Sequence, residues 1–253
     1  SCIFPGRARQ KLFVFNLVFQ ASVMDAFAIS GVLNRMPIFE NLEPDLLYML
    51  SKGSREIVAG KGERLFQKGD TAQGFYFVLD GKIKLAFISS RGTEKVVEIV
   101  HRHQSFGESV VLADSVWPYY SQALLDSRLL HVSSTAFHKV VSADRNAADL
   151  MLGNMAKRLC TMFADMEAFC LLTSRERVVG YLLREIEHKR QIGDSDLSVE
   201  LPDTKANTAS LLNLTPETFS RVIHALEREQ AISVSRRMVT VLDLEKLQRG
   251  GGC

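Results

Sequence analysis

The most regular apolar spacing in the chain runs through Leu152, Met155, Leu159, Met162, Met166 and Phe169, at intervals of three and four residues. Such alternation is the period of a helix with one apolar seam. It predicts one long helix over 136–172. A seam of this kind must be covered, by its own domain or by a second copy of the chain. We expect a parallel pairing with a second copy, in which Met155, Met162 and Met166 keep the contact adaptable.

Upstream, over 36–135, the period shortens. Leu65-Phe66, Phe75–Leu79, Ile83–Ile88, Val96–Val100 and Leu129–Val132 are short apolar runs separated by glycines. Turns recur every ~8–12 residues, the pattern of a sandwich or barrel of short strands. Lys68-Gly69-Asp70 and Asp80-Gly81 read as turns, because glycine takes positive φ without a steric cost. Before this block, Pro44 to Lys52 reads as a short amphipathic helix, with Leu46, Leu47 and Leu50 on its apolar side.

Downstream, Thr173 and Glu176 have capping-box spacing and mark a new helix start. Val178, Val179, Tyr181, Leu182, Leu183 and Ile186 follow on a helix. Gly193 to Asp196 reads as a turn and Leu197 to Leu201 as a strand. Two helical stretches come next, then a hairpin around Ser235-Arg236-Arg237. Between the two helices Asn213 suits a left-handed turn residue. Thr215 suits an N-cap, and Pro216 the first helical position. Phe219, Val222, Ile223 and Leu226 form the buried side of the second helix. Glu217, Thr218, Ser220 and Arg221 lie toward its other side, near the N-terminal end that a recognition helix offers to the major groove. Arg can bond guanine bidentately, Glu can accept from cytosine, and Ser can reach either kind of edge. Lys205 and Thr215 could hold phosphates.

Composition limits the alternatives. Apolar residues make up 46% of 253 and charged residues 24%, with a net charge of +2. A nucleic-acid surface must therefore be local, and Lys205–Thr240 holds five Lys/Arg against three Asp/Glu. Cys2, Cys160, Cys170 and Cys253 have no metal-ligand spacing. No Ser/His/Asp or Cys/His arrangement and no phosphate loop is present, which argues against an enzyme. No apolar run is long enough to span a membrane. Arg7, Arg9 and Lys11 precede Leu12–Phe19 like a short signal peptide, but no cleavage site follows. We expect residues 1–23 to be a disordered extension and the protein to be cytoplasmic.

On these residues the chain resembles the cyclic-AMP receptor/fumarate-nitrate reductase (CRP/FNR) family. Glu217-Thr218-Phe219-Ser220-Arg221 is similar to the E-x-x-S-R recognition pattern of the FNR subgroup. Leu65–Asp70, Phe75–Gly81 and Phe106-Gly107-Glu108 look like the family's β-roll. The resemblance implies an α+β chain: a jelly-roll-like β-roll sensor over 24–135, a dimerisation helix over 136–172, a winged helix-turn-helix over 173–247 and a tail at 248–253. It further implies a homodimer bound to double-stranded DNA at palindromes of the TTGAT-N4-ATCAA kind, with RNA polymerase as a partner. Ala206 and Asn207 depart from the family, standing where many members carry long polar residues.

The signal is read from departures too. Pro118 and Tyr119 fall where cyclic-nucleotide binders place an Arg and a small residue, so cyclic AMP is not expected. Cys2 is the only cysteine before the β-roll, so neither is a [4Fe–4S] cluster. Trp117-Pro118-Tyr119-Tyr120 is similar to the denitrification regulator (DNR) branch, which implies a haem that senses nitric oxide. We expect its pocket between the β-roll and the long helix, lined by Glu108, Trp117, Tyr119, Tyr120, Met155 and Leu159. His101, His103, His131, His138 and His188 are the possible ligands. The alternative is an effector-binding module without DNA activity.

Overall fold

Asp25 accepts from the Ala28 N–H at 2.8 Å and starts α1 (Ala26–Leu33). The structure is a computed structural model that describes residues 24–39, 42–191, 196–201 and 204–249. The expectations for residues 1–23 and 250–253, and most of the turn at Gly193–Ser195, lie outside the described residues. After a 3-10 turn (Pro37–Phe39), α2 (Pro44–Lys52) turns Leu47 and Leu50 inward.

The strands follow the glycine-punctuated runs: β1 (Ser54–Ala59), β2 (Gly74–Asp80), β3 (Ile83–Ile88), β4 (Glu94–Val100) and the short β5 (Ser105–Phe106). A five-residue helix, α3 (Glu108–Leu112), precedes β6 (Tyr120–Ala123) and β7 (Ser127–Ser133). They make two antiparallel sheets, ordered β1-β7-β2-β5 and β4-β3-β6. Alternation puts Ile83, Leu85, Val100 and Ala123 inside, with Val78, Phe106, Trp117 and Leu129. It puts Lys84, Val96 and Ile99 on the other face of the second sheet. At Gly107 the backbone has φ +97, and an added Cβ would lie 2.3 Å from the Trp117 ring. Only glycine satisfies both conditions.

Residues 136–172 are not one helix. α4 (Ser134–Ala143) ends at Asp144, whose extended backbone (φ −132, ψ 120) and side-chain bond to the Asn146 N–H start α5 (Arg145–Leu171). α4 packs Ala136, Phe137 and Val140 onto the β-roll, while among the described side chains of α5 only Ala147 and Met151 are fully buried. Farther along α5 the apolar residues face solvent: Leu152 is 67% exposed, Leu159 53%, Met162 62% and Met166 56%. Met155 is half-buried and Phe169 lies beneath the Lys95 ammonium, 5.3 Å from ring centroid to Nζ. Phe163, which the sequence spacing leaves out, is 58% exposed. At 100° per residue, Leu152, Leu159, Phe163 and Met166 form the open stripe, and Met155, Met162 and Phe169 continue it along one edge.

Thr173 and Glu176 close the expected capping box, at 2.6 and 3.3 Å, ahead of α6 (Ser174–Gln191). β8 (Ser198–Glu200), α7 (Lys205–Leu211), α8 (Pro216–Arg228), β9 (Ile232–Ser235) and β10 (Met238–Val241) complete the head, with the sheet ordered β8-β10-β9. A last helix, α9 (Leu244–Arg249), replaces the tail expected from 248. Asp243 accepts from the Lys246 N–H at 2.9 Å, and Leu247 is fully buried in the head core.

Gly107→Ala should lower the unfolding free energy by roughly 1–3 kcal/mol, from positive φ plus the Trp117 clash. Urea unfolding followed by Trp117 fluorescence measures it, and an unchanged midpoint would contradict the strain argument.

Candidate nucleic-acid interface

α7 and α8 cross closely because the residues between them are small. Ala209 is fully buried in a core that includes Phe219, Ile223 and Leu226, and Thr208 beside it is buried too. Thr204 caps α7 by accepting from the Asn207 N–H at 3.2 Å. The chain then reverses at Asn213, whose φ of 55 is the left-handed conformation expected of it. Thr215 caps α8 by accepting from the Thr218 N–H at 3.2 Å, and Pro216 takes the first position, where no donor is needed. From α6, Arg177 donates to the Leu212 and Asn213 carbonyls at 3.0 and 3.1 Å and ties the turn to the rest of the head.

These contacts leave one side of α8 facing out. Glu217 and Arg221 are exposed; Thr218 and Ser220 are half-buried at its edges. Lys205 and Thr215 are exposed at the starts of α7 and α8. The structure thus brings Thr215, Glu217, Thr218, Ser220 and Arg221 to one end of one helix, with Lys205 on the preceding one. Glu217 sits in the first turn, where hydrogen bonds from its own backbone N–H and from the Thr215 hydroxyl hold its carboxyl below the usual range. Residue spacing places His224 and Arg228, both exposed, on the same side as Glu217 and Arg221. They were legible as i+3 and i+4 neighbours along that stripe. Arg236, at φ 57 in the β9–β10 turn, is exposed at the tip of the wing. Arg237 beside it pairs with Glu200 at 3.3 Å.

Comparison with known proteins agrees on both halves. The model of the cyclic nucleotide-binding domain matches residues 56–144, and that of the Crp-like helix-turn-helix domain matches residues 176–249. The chain belongs to the CRP/FNR family of transcription regulators. The fumarate and nitrate reduction regulatory protein of Vibrio cholerae is 24% identical over 195 residues, 76% of either chain. The cyclic AMP receptor protein of Thermus thermophilus is 23% identical over 212 residues, 84% of this chain and 95% of that one. Among solved structures, FixK2 from Bradyrhizobium japonicum shares the fold with a TM-score of 0.71 at 20% identity, covering 79% of this chain and 98% of its own. The regulator is thus a DNA-binding protein with a cyclic nucleotide-binding fold, and its relatives are regulators rather than enzymes. No helix among the described residues is long and apolar enough to cross a membrane.

The residues named for a pocket between the regulator's β-roll and its long helix do not line one common space. Trp117 is buried and stacks on Phe66, with centroids 3.7 Å apart and planes at 9°, so this face of its ring is taken by the β-roll's own core. Tyr119 packs half-buried against Phe66, Phe87 and Trp117. Tyr120 is buried on the opposite face of its strand. Its hydroxyl donates to Glu94, whose carboxylate also accepts from the buried Lys84 at 2.8 Å. Glu108 is buried in the first turn of α3. Met155 and Leu159 belong to none of the hydrophobic clusters of the β-roll domain, and Leu159 faces solvent.

The histidines do not converge either. His101 lies half-buried, 3.7 Å from Glu185 of α6. His103 is exposed at φ 67, and His138 meets the Val111 carbonyl at 3.2 Å. His131 packs edge-on against Tyr76, 5.1 Å between centroids, and its ring touches the space beside Gly74. The side chain of His188 is outside the described residues. This set does not fit a haem held against Trp117 and Tyr119. Cys160 and Cys170 are exposed on α5, and no group of three or more His, Cys, Asp or Glu that could hold a metal occurs among the described residues. One open space lies elsewhere, a charged cleft of about 450 Å³ between β-roll and head, lined by residues such as Asp80, Lys82, His101, Glu185 and Glu200.

Burial, with Arg55 nearby, lowers the His131 pKa from 6.5 to about 4. The unfolded chain therefore binds the extra proton first, and stability falls as pH drops from about 6.5 towards about 4. His131→Gln should flatten that segment of the stability–pH curve, measured by urea midpoints at several pH values. An unaltered slope would show that another group governs it.

Proposed function

We propose that the regulator acts as a homodimer that reads an FNR-like palindrome of the TTGAT-N4-ATCAA kind. Glu217, Thr218, Ser220 and Arg221 meet base edges, and Lys205 and Thr215 hold phosphates. The observation that carries this reading is the outer side of α8, where Arg221 stands exposed with no ion pair among the described residues beside a first turn capped by Thr215. A free guanidinium one turn into a helix is placed for bidentate bonding to guanine O6 and N7. The same exposed helix disfavours the alternative of an effector-binding module without DNA activity.

The second copy is supported by α5. Leu152, Leu159, Phe163 and Met166 form an uncovered apolar stripe on a helix of 27 residues. An antiparallel pairing would put the heads at opposite ends, whereas a parallel two-fold pairing puts both at one end. The two recognition helices can then enter major grooves one helical turn apart. Bound near a promoter, the dimer acts on RNA polymerase, in the cytoplasm where the DNA lies. We place the regulator in the DNR branch on Trp117-Pro118-Tyr119-Tyr120 and the Glu217–Arg221 motif. The nitric oxide and haem reading gains no support from the geometry around Trp117. Pro118 and Tyr119 offer no cation to a cyclic phosphate, so cyclic AMP is not assigned as the signal.

Arg221→Ala should reduce the preference for the palindrome over a scrambled duplex by about 1–3 kcal/mol in a gel-shift titration. An unchanged preference would show that Arg221 reads no base. Leu159→Asp combined with Phe163→Asp should convert a dimer to a monomer in sedimentation velocity, while the circular dichroism spectrum stays that of the wild type. A persistent dimer would place the interface elsewhere.

A further inference from the structure

The head rests on its own sensor at a point where three bodies meet. The Lys95 ammonium, reaching from β4, donates to the carbonyls of Ser210 and, at 3.5 Å, Leu211. The next residue of the strand, Val96, donates its N–H to Ser210 Oγ at 2.8 Å. Leu211 packs onto Val96, Ile99 and Leu124, the outer face of the β4-β3-β6 sheet. The same ammonium lies over the ring of Phe169, near the end of α5. One cation thus reaches from the sensor's strand to the long helix and to α7, the first helix of the helix-turn-helix.

The chemistry of the contact follows from helix ends. The last carbonyls of a helix lack intrahelical partners and carry partial negative charge. At α7 they are met by two cations. Arg177 takes Leu212 and Asn213 from within the head, and Lys95 takes Ser210 and Leu211 from the sensor. Burial and then the neighbouring Arg177 pull the Lys95 pKa below the usual lysine range, so the ammonium is held against a cost, by carbonyls and an aromatic face. Two flanking pairs cross the same junction, Lys82 to Glu200 at 3.3 Å and His101 to Glu185 at 3.7 Å. The head also continues from α5 through a joint where Leu172 leaves helical geometry at ψ 144, and beside it Arg184 of α6 pairs with Asp165 of α5 at 2.6 Å.

We propose that Lys95 is a positioning residue for DNA binding: by clamping the C-terminal end of α7 to β4 it fixes the angle of the recognition helix relative to α5, without touching DNA. The clamp sits at the end of α7 opposite the exposed Lys205, and α8 keeps its outer face free while docked. The docked head is therefore already presented. The inference rests on the dimeric, palindrome-reading function proposed above. Two heads held at a fixed angle engage the second half-site at high effective concentration, and two swivelling heads do not.

The test uses full-length Lys95→Met, Lys95→Arg and wild type with a palindromic and a single half-site duplex, by fluorescence anisotropy over a range of salt. Lys95→Met should lose about tenfold or more on the palindrome and no more than about twofold on the half-site. Its salt slope should be unchanged, because loss of a phosphate contact would lower that slope by about 1. Lys95→Arg should restore most of the affinity. Unchanged palindrome affinity, an equal loss on the half-site, a reduced salt slope or tighter binding would each overturn the proposal. Hydrogen exchange of the Val96 and α7 amides reads the clamp without DNA. It should quicken about tenfold in Lys95→Met while the two domain cores keep their protection, and equal protection at α7 would overturn the clamp. A wild type with no palindrome preference would sink the dimeric reading instead, and exchange would still decide the clamp.

Discussion

The structure depends on a close helix crossing in the head. Because Ala209 adds almost no bulk where α7 meets α8, Phe219, Ile223 and Leu226 can all point into one core. With that side of α8 committed inward, the opposite side has no choice but to face out, and Glu217 and Arg221 are on it. Asn213 makes the reversal possible by accepting a left-handed backbone that most residues resist. A larger residue at 209 would move α8 outward and turn the whole reading surface with it.

The sensor is organised by a different constraint. Its core closes on aromatic rings, with Phe66, Tyr76, Phe106 and Trp117 in mutual contact. Its second sheet turns an outer face to the head instead of to water. Lys84, Glu94 and Tyr120 bury a charge there, and Val96, Ile99 and Leu124 bury Leu211. A change of shape in that sheet reaches α7 directly, while a change at α5 reaches it through Phe169 and the joint at Leu172.

Much of this was legible in the chain. Glycine spacing marked the strands, and Thr173, Asn213, Thr215 and Pro216 marked the head's helix ends, because each signal is local. What escaped depends on distant or quiet features. The break before α5 carries no glycine or proline; it turns on Asp144 capping Asn146, which reads as ordinary helix surface. The seam on α5 was read with Met155 and Phe169 and without Phe163, since the side facing the chain's own domains is set by what those domains cover. The residues named for the pocket lie apart, because Phe66, far from Trp117 in sequence, draws that ring into the β-roll core while Leu159 faces solvent. The clamp at Lys95 joins residues more than a hundred positions apart, and no periodicity announces it.

The central claim is that two copies of one outward-facing helix read one two-fold site. Native mass spectrometry of the full-length regulator with the palindromic duplex tests it most directly. The account predicts a complex of two chains per duplex, with no single-chain species accumulating at sub-saturating protein. One chain per duplex at saturation would contradict it.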